Sequence, residues 1–310
     1  MQRESLLACF LLCATLAIQI HVPSAQAQVE SPTQNVVKVG IYVLQIGKFD
    51  LSTGSYTIDF YLSMACNGKC NLGSFEFMDG RADTETLIEN TTNERLYRIQ
   101  GSFYENLDLQ DYPFDSHTLK IEIEDQNLPK QQLVYQPDIA TSGLDERIII
   151  VGWNISGWNA SVVDHYYAPF NQTYSRYIFS IMISRPGLTS GLNMFLPVFF
   201  VVFVSLISML LVGNRLESRI LLTVTALLAA VFFQFTLDST LPPLGYLTFA
   251  DKFMIATYIV IISTLAIAIL LLKYNDKKDL SKSEKIQYYT VRAMPVVTII
   301  IYAITFLSFR

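Results

Sequence analysis

Four apolar blocks in the C-terminal part of the chain, 191–310, constrain the fold more than any other feature. They run over 192–212, 219–237, 249–272 and 294–309. A helix needs about 20 apolar residues to cross the hydrocarbon core of a bilayer. Segments this apolar can satisfy their backbone in lipid only as helices, so the sequence predicts four membrane helices. Composition agrees: 51% of the 310 residues are hydrophobic and 16% charged, with a mean hydropathy of +0.34. The loops set the orientation. The connection after the third block carries Lys273, Lys277, Lys278, Lys282, Lys285 and Arg292, and that after the first carries Arg215 and Arg219. The stretch 238–251 has neither Lys nor Arg. Basic loops stay in the cytoplasm, which leaves both ends of the chain outside.

The N-terminal part is of another kind. Residues 1–27 hold Arg3, an apolar run ending at Ile18 and an Ala25-Gln26-Ala27 site, and read as a cleavable signal peptide. From 28 to 190 come short runs of β-branched and aromatic residues separated by turn signals, with alternation clearest over 56–62 and 118–123. That pattern predicts an antiparallel β-sandwich. The fold class is therefore β + α, an extracellular or periplasmic sandwich followed by a four-helix transmembrane bundle in a cell membrane.

This exported segment has 11 Lys and Arg against 20 Asp and Glu. Such a balance speaks against nucleic acid or anionic lipid as a partner. It either concentrates cations near a vestibule or simply keeps an acidic domain soluble. Cys9 and Cys13 leave with the signal, so Cys66 and Cys70 are the thiols that remain, joined through an Asn67-Gly68 turn. An oxidising compartment favours a disulfide between them. Two Cys without nearby His make only half a zinc site. No metal or other cofactor is expected. No Ser-His-Asp set, His-x-x-x-His pair or phosphate-cradling glycine loop speaks for an enzyme.

The second apolar block has a distinctive stripe. Steps of three and four residues from Glu217 give Leu221, Thr225, Leu228, Phe232 and Phe235 on one helical face, with Asp238 near the far end. One reading is a pore helix repeated around an axis, because charge within a membrane is costly unless it faces water or a partner. The other is one more bundle helix whose two acids mark the interfaces.

With these parts in order, the chain resembles the pentameric ligand-gated ion channels, the Cys-loop receptor family, in their prokaryotic form. Tyr112-Pro113-Phe114-Asp115 resembles the signature loop at the base of the family's sandwich, and Gly152-Trp153 the strand that follows. Arg185 stands where the family keeps an arginine before its first membrane helix, and Pro197 matches that helix's proline. Leu241-Pro242 and Tyr246 resemble the linker after the pore helix.

The resemblance implies a ring of five, each chain with four identical subunits around it. The pore would be lined by Glu217, Leu221, Thr225, Leu228, Phe232, Phe235 and Asp238. A Glu217 ring would favour monovalent cations. Asp115 and Arg185 would couple the sandwich to the gate, with Asp50 as a third member and Tyr112, Pro113, Phe114, Pro242 and Tyr246 around them. The agonist loop would fall in 164–177, with Tyr166, Tyr167, Phe170 and Tyr174 able to stack on a cation. Glu124 and Tyr135 would face them. His117 and His165 read as lone. The agonist is an unknown small molecule or protons; a non-conducting receptor of the same fold is the alternative.

Overall fold

The structure, a computed structural model, describes residues 34–68, 70–211 and 215–308. The expected signal peptide lies outside them.

Alternation builds the sandwich. β1 (Asn35–Ile46) sends Val37, Val39, Ile41 and Val43 fully inward, and β2 (Ser55–Cys66) does the same with Ile58, Phe60 and Leu62. One sheet runs β4 (Gly80–Asn90), β5 (Glu94–Tyr104), β2, β1, β7 (Leu133–Pro137), and short β8 (Gly143–Leu144) also pairs with β1. β7 and β8 lie parallel to β1. The second sheet runs β3 (Phe75–Phe77), β6 (Ser116–Asp125), β10 (Gln172–Ser184), β9 (Asn154–Tyr167). Its inward residues include Leu119, Ile121, Ile123, Phe179 and Ile181, all solvent-inaccessible. Each such side chain contributes about 1.5–3 kcal/mol of burial free energy, and together they weld the two sheets. Cys66 and Cys70 are joined by a disulfide across the turn after β2.

Four helices follow: α1 (Gly187–Ser208), α2 (Leu216–Asp238), α3 (Phe249–Asp276) and α4 (Leu280–Leu307). All four are long and apolar enough to cross a membrane. α3 is the most enclosed, with Val260, Ile261, Ala268 and Leu271 inaccessible. Polar pairs tie the helices in the apolar interior: Ser205 to Thr264 at 2.6 Å, Ser208 to Thr223 at 3.1 Å, and Thr257 to Tyr302 at 2.8 Å. Hydroxyl pairs of this kind hold helices together where burial of apolar surface supplies no driving force.

One expectation needs correction. The basic stretch before the fourth block is not a loop, because α4 starts at Leu280 rather than 294. Asp279 caps the helix, its carboxylate accepting from the Lys282 amide at 3.3 Å. Lys282, Lys285 and Arg292 therefore ride on helical turns, and Arg292 stacks 3.6 Å from the Tyr288 ring centroid. Helix length here follows from a polar cap and good helix formers, signals that hydropathy ignores.

Candidate functional site

The junction between sandwich and helices is built around one carboxylate. β6 begins just after Asp115, and β10 ends just before Arg185. The two strands pair in register, His117 opposite Ile183 and Ser116 opposite Ser184, so the residues flanking them are brought together. Arg185 Nε donates to Asp115 Oδ1 at 2.6 Å, and the Arg185 amide donates to the Asp115 carbonyl at 3.2 Å. The other carboxylate oxygen is 2.6 Å from His117 Nε2. The guanidinium lies 4.4 Å from the Trp153 ring centroid and 5.0 Å from that of Tyr112. Burial alone would raise the Asp115 carboxyl, but the His117 hydrogen bond and the Arg185 charge outweigh it and hold the group below the usual carboxylate range.

His117 was expected to stand alone, and it does not. Its ring is a direct partner of Asp115 and packs edge-on against Phe49 and Trp153, at 5.7 and 5.3 Å. Asp50, expected as a third member of the pair, is engaged elsewhere. Its carboxylate accepts from the Ser52 amide and hydroxyl at 2.8 and 2.7 Å, closing the β1–β2 turn on itself. Those bonds hold the Asp50 carboxyl below its ordinary range.

The signature loop also receives the start of α3. A helix leaves its first N–H groups without partners. Here the Phe249 amide donates to the Gln110 carbonyl at 2.7 Å and the Ala250 amide to that of Tyr112 at 3.1 Å. Thr248 and Asp251 complete a capping box. The Tyr246 hydroxyl accepts from the Leu109 amide at 2.9 Å, and the Tyr112 hydroxyl is 3.4 Å from that of Thr240. Phe114 packs at a tilt against both Phe195 of α1 and Phe249 of α3, at 5.9 and 6.0 Å between ring centroids. The α2–α3 loop, which carries half-buried Pro242, is thus bonded to the loop that carries Asp115. No motif announces these backbone bonds.

On α2 the expected stripe faces away from its own bundle. Leu221, Leu228, Phe232 and Phe235 are 67%, 53%, 69% and 64% exposed. Glu217 and Thr225 are exposed on the same side, while Leu216, Arg219, Thr223, Ala226 and Ala230 are buried behind them. Asp238, also exposed, stands at the flank of the stripe and accepts from Gln234, which donates as well to Asp251 of α3. Arg219 donates to Gln287 of α4 at 2.8 Å.

The expected agonist residues divide. Tyr167 gathers Tyr174 at 5.7 Å, Phe170 at 6.4 Å and His165 at 4.5 Å between ring centroids. Its hydroxyl donates to Glu124 at 3.0 Å. Arg176, unmarked in the sequence, organises this end, donating to Glu124 at 2.6 Å and to Glu122 at 2.8 Å. Tyr166 falls on the opposite face of β9 by alternation and donates to Asn171. Tyr135 is only 2% exposed, inside the sandwich, so it does not face the surface. Glu124, also 2% exposed, is taken by Arg176 and Tyr167. Among the described residues no group of three or more His, Cys, Asp or Glu is placed to hold a metal.

A sandwich of two sheets, its base loop bonded to the last strand and to the third of four membrane helices, defines a class: the architecture is that of the pentameric ligand-gated ion channels, and the chain is similar to two ion channels. It is 26% identical over 168 residues to the proton-gated ion channel of Gloeobacter violaceus, covering 54% of this chain and 46% of that protein. It is 23% identical over 220 residues to pH-sensitive chloride channel 2 of Drosophila melanogaster, covering 67% of this chain and 41% of that protein. The chain therefore spans less than half the length of either relative. No family model matches it. The class is not enzymatic.

Proposed function

We propose that five copies of this chain form an ion channel in the cell membrane, each copy with four identical neighbours, and that protons or a small ligand acting on the sandwich open it. α2 of each copy lines the pore. The observation that carries this is the outward stripe of α2. A helix at a bundle's edge turns its free face to lipid or to water, and carboxylates on a lipid face are expensive. Glu217 lies on that free face, with Thr225 about two turns beyond it.

Glu217 would set the ion preference. A ring of carboxylates attracts and partly desolvates cations while repelling anions, so monovalent cations are the permeating species. The two relatives leave this open, since one of them is a chloride channel. Leu221, Leu228, Phe232 and Phe235 form an apolar constriction that blocks ions by expelling water and re-wets when the helices tilt. Motion reaches α2 through Asp115, Arg185 and the 109–112 bonds to Tyr246 and α3. Tyr167, Phe170 and Tyr174 offer an aromatic surface to a cationic agonist.

The test is native mass spectrometry of the detergent-extracted protein, followed by reconstitution and recording across a salt gradient at pH 8 and pH 5. Five-subunit particles with acid-evoked, cation-selective currents are expected. Single subunits, or pentamers silent at both pH values and after opening substitutions on α2, would overturn the reading.

A further inference from the structure

The outer face of β6 carries charges that the junction does not use. Leu119, Ile121 and Ile123 enter the core, and Lys120 and Glu122 alternate with them on the opposite face. Next to that face the chain crosses from one sheet to the other through Met78, Asp79 and Gly80. Asp79 sits where the sheets meet: the Met78 amide donates to the Glu122 carbonyl at 3.0 Å, and the Tyr104 amide to the Asp79 carbonyl at 2.9 Å.

The Asp79 carboxylate is poorly served. Oδ1 accepts from the Glu122 amide at 3.0 Å, whereas Oδ2 is sealed from solvent with no hydrogen-bond donor. The surrounding groups are Glu122 and Lys120 from β6, Glu105 from the end of β5, Arg81 from β4 and the Tyr56 hydroxyl from β2. None of the basic groups is paired with it. Lys120 reaches Glu105 at 3.4 Å, Arg81 reaches Asp83 at 3.4 Å, and the Tyr56 hydroxyl donates to the Lys120 carbonyl at 2.7 Å. A cavity of about 580 Å³ lined by Asp79, Glu105, Lys120 and Glu122 adjoins the buried carboxylate. Burial above all, opposed by the Glu122 amide and reinforced by the Glu122 and Glu105 charges, pushes the Asp79 carboxyl up to about 7. Burial raises the Glu105 carboxyl as well.

We infer that Asp79 is a proton-binding site through which this protein senses acid, an assignment that rests on the proton-gated reading above. When ionised, Asp79 adds a third negative charge beside Glu105 and Glu122. Taking up a proton removes that charge and makes the carboxyl a donor to its neighbours. Glu122 shares Arg176 with Glu124, and Glu124 holds Tyr167 of the β9–β10 hairpin. The seam between the sheets and that hairpin therefore feel the same proton. Asp115 does not change charge in this range, because its partners hold it below the usual carboxylate range.

The experiment is proton-activation recording of the full chain beside Asp79→Asn, Asp79→Glu and Glu105→Gln. Asparagine is neutral and a donor at every pH, so Asp79→Asn should open at a pH about one unit higher and with a shallower dependence. Asp79→Glu should remain acid-sensitive. Glu105→Gln, by removing a negative neighbour, should demand a lower pH. Wild-type activation in Asp79→Asn and Glu105→Gln alike overturns the site. If the wild type gives no acid-evoked current, the gating reading falls by itself, and melting curves of wild type and Asp79→Asn between pH 4 and 8 then decide on the proton. The folded-state affinity is raised, so ionised Asp79 destabilises the fold increasingly as pH rises from about 4 to about 7. Asp79→Asn should gain stability over the wild type across that window, and a gap that ignores pH overturns the assignment.

Discussion

Arg185 meets Asp115 through both side chain and backbone, at 2.6 and 3.2 Å, so the residue that follows the last strand is fixed to the signature loop twice. The Asp115 side chain is 2% exposed and that of Arg185 15%. Removing one partner of such a pair strands a buried charge.

Arg185→Ala and Asp115→Asn should each cost about 3–5 kcal/mol of stability or abolish assembly. Arg185→Lys keeps the charge but loses the planar stack on Trp153, so it should fold with weakened gating. A double-mutant cycle should show about 1–3 kcal/mol of coupling. Additive effects in melting and activation would mean the two groups act independently.

The acid limb of stability should carry the mark of the same carboxylate. The Asp115 group is lowered from 3.8 by its partners in the fold. Its stabilisation is complete above that ordinary value and fades as pH drops through the lower, folded one. Thermal melts should therefore fall steeply only below about pH 4, and Asp115→Asn should flatten that limb. A steep loss between pH 6 and 5 that Asp115→Asn removes would contradict the assignment.

Much of this was legible in the sequence, and the reasons are physical. Period-2 alternation exposed the sandwich because one face of each strand must leave water, and unbroken apolar runs exposed the membrane helices. The Asp115–Arg185 pairing was readable through the resemblance of two short motifs. His117, Arg176 and Asp79 were not, because their importance comes from strands that meet only in the fold. Register alone brings Arg176 of β10 to Glu122 and Glu124 of β6. Burial of Tyr135 was missed for the related reason that an aromatic in a strand looks alike on either face.

The Cys66–Cys70 bridge should matter modestly. Its separation of 4 residues closes a small loop, for which loop-closure entropy predicts about 2 kcal/mol. Reduction, or Cys70→Ser, should lower the melting temperature by roughly 4–8 °C without changing ion selectivity. A shift in selectivity would show that the β2 turn communicates with the pore.

Tyr246→Phe removes one hydroxyl and leaves the ring. The Leu109 amide then loses its acceptor at 2.9 Å, a loss of about 1 kcal/mol in a neutral, part-buried bond. Folding should survive, since α3 remains bonded to Gln110 and Tyr112. If this bond transmits motion to α2, the activation midpoint should move while single-channel conductance stays constant. Unchanged activation would reduce the bond to a structural tie.

The pore face gives the most direct division between a conductor and a silent receptor. Leu228 lies midway along the exposed stripe, 53% exposed, between Thr225 and Phe232. Leu228→Ser replaces an apolar wall with a hydroxyl that hydrates, which lowers the cost of water at the constriction. A conducting pentamer should open at a higher pH or leak at rest, and a receptor without a pore should stay silent. Glu217→Gln then tests the filter, since neutralising five carboxylates should move the reversal potential in a salt gradient toward zero. Leak in Leu228→Ser with cation preference intact in Glu217→Gln would keep the pore and relocate its filter to Asp238, which is exposed at the other end of the same helix.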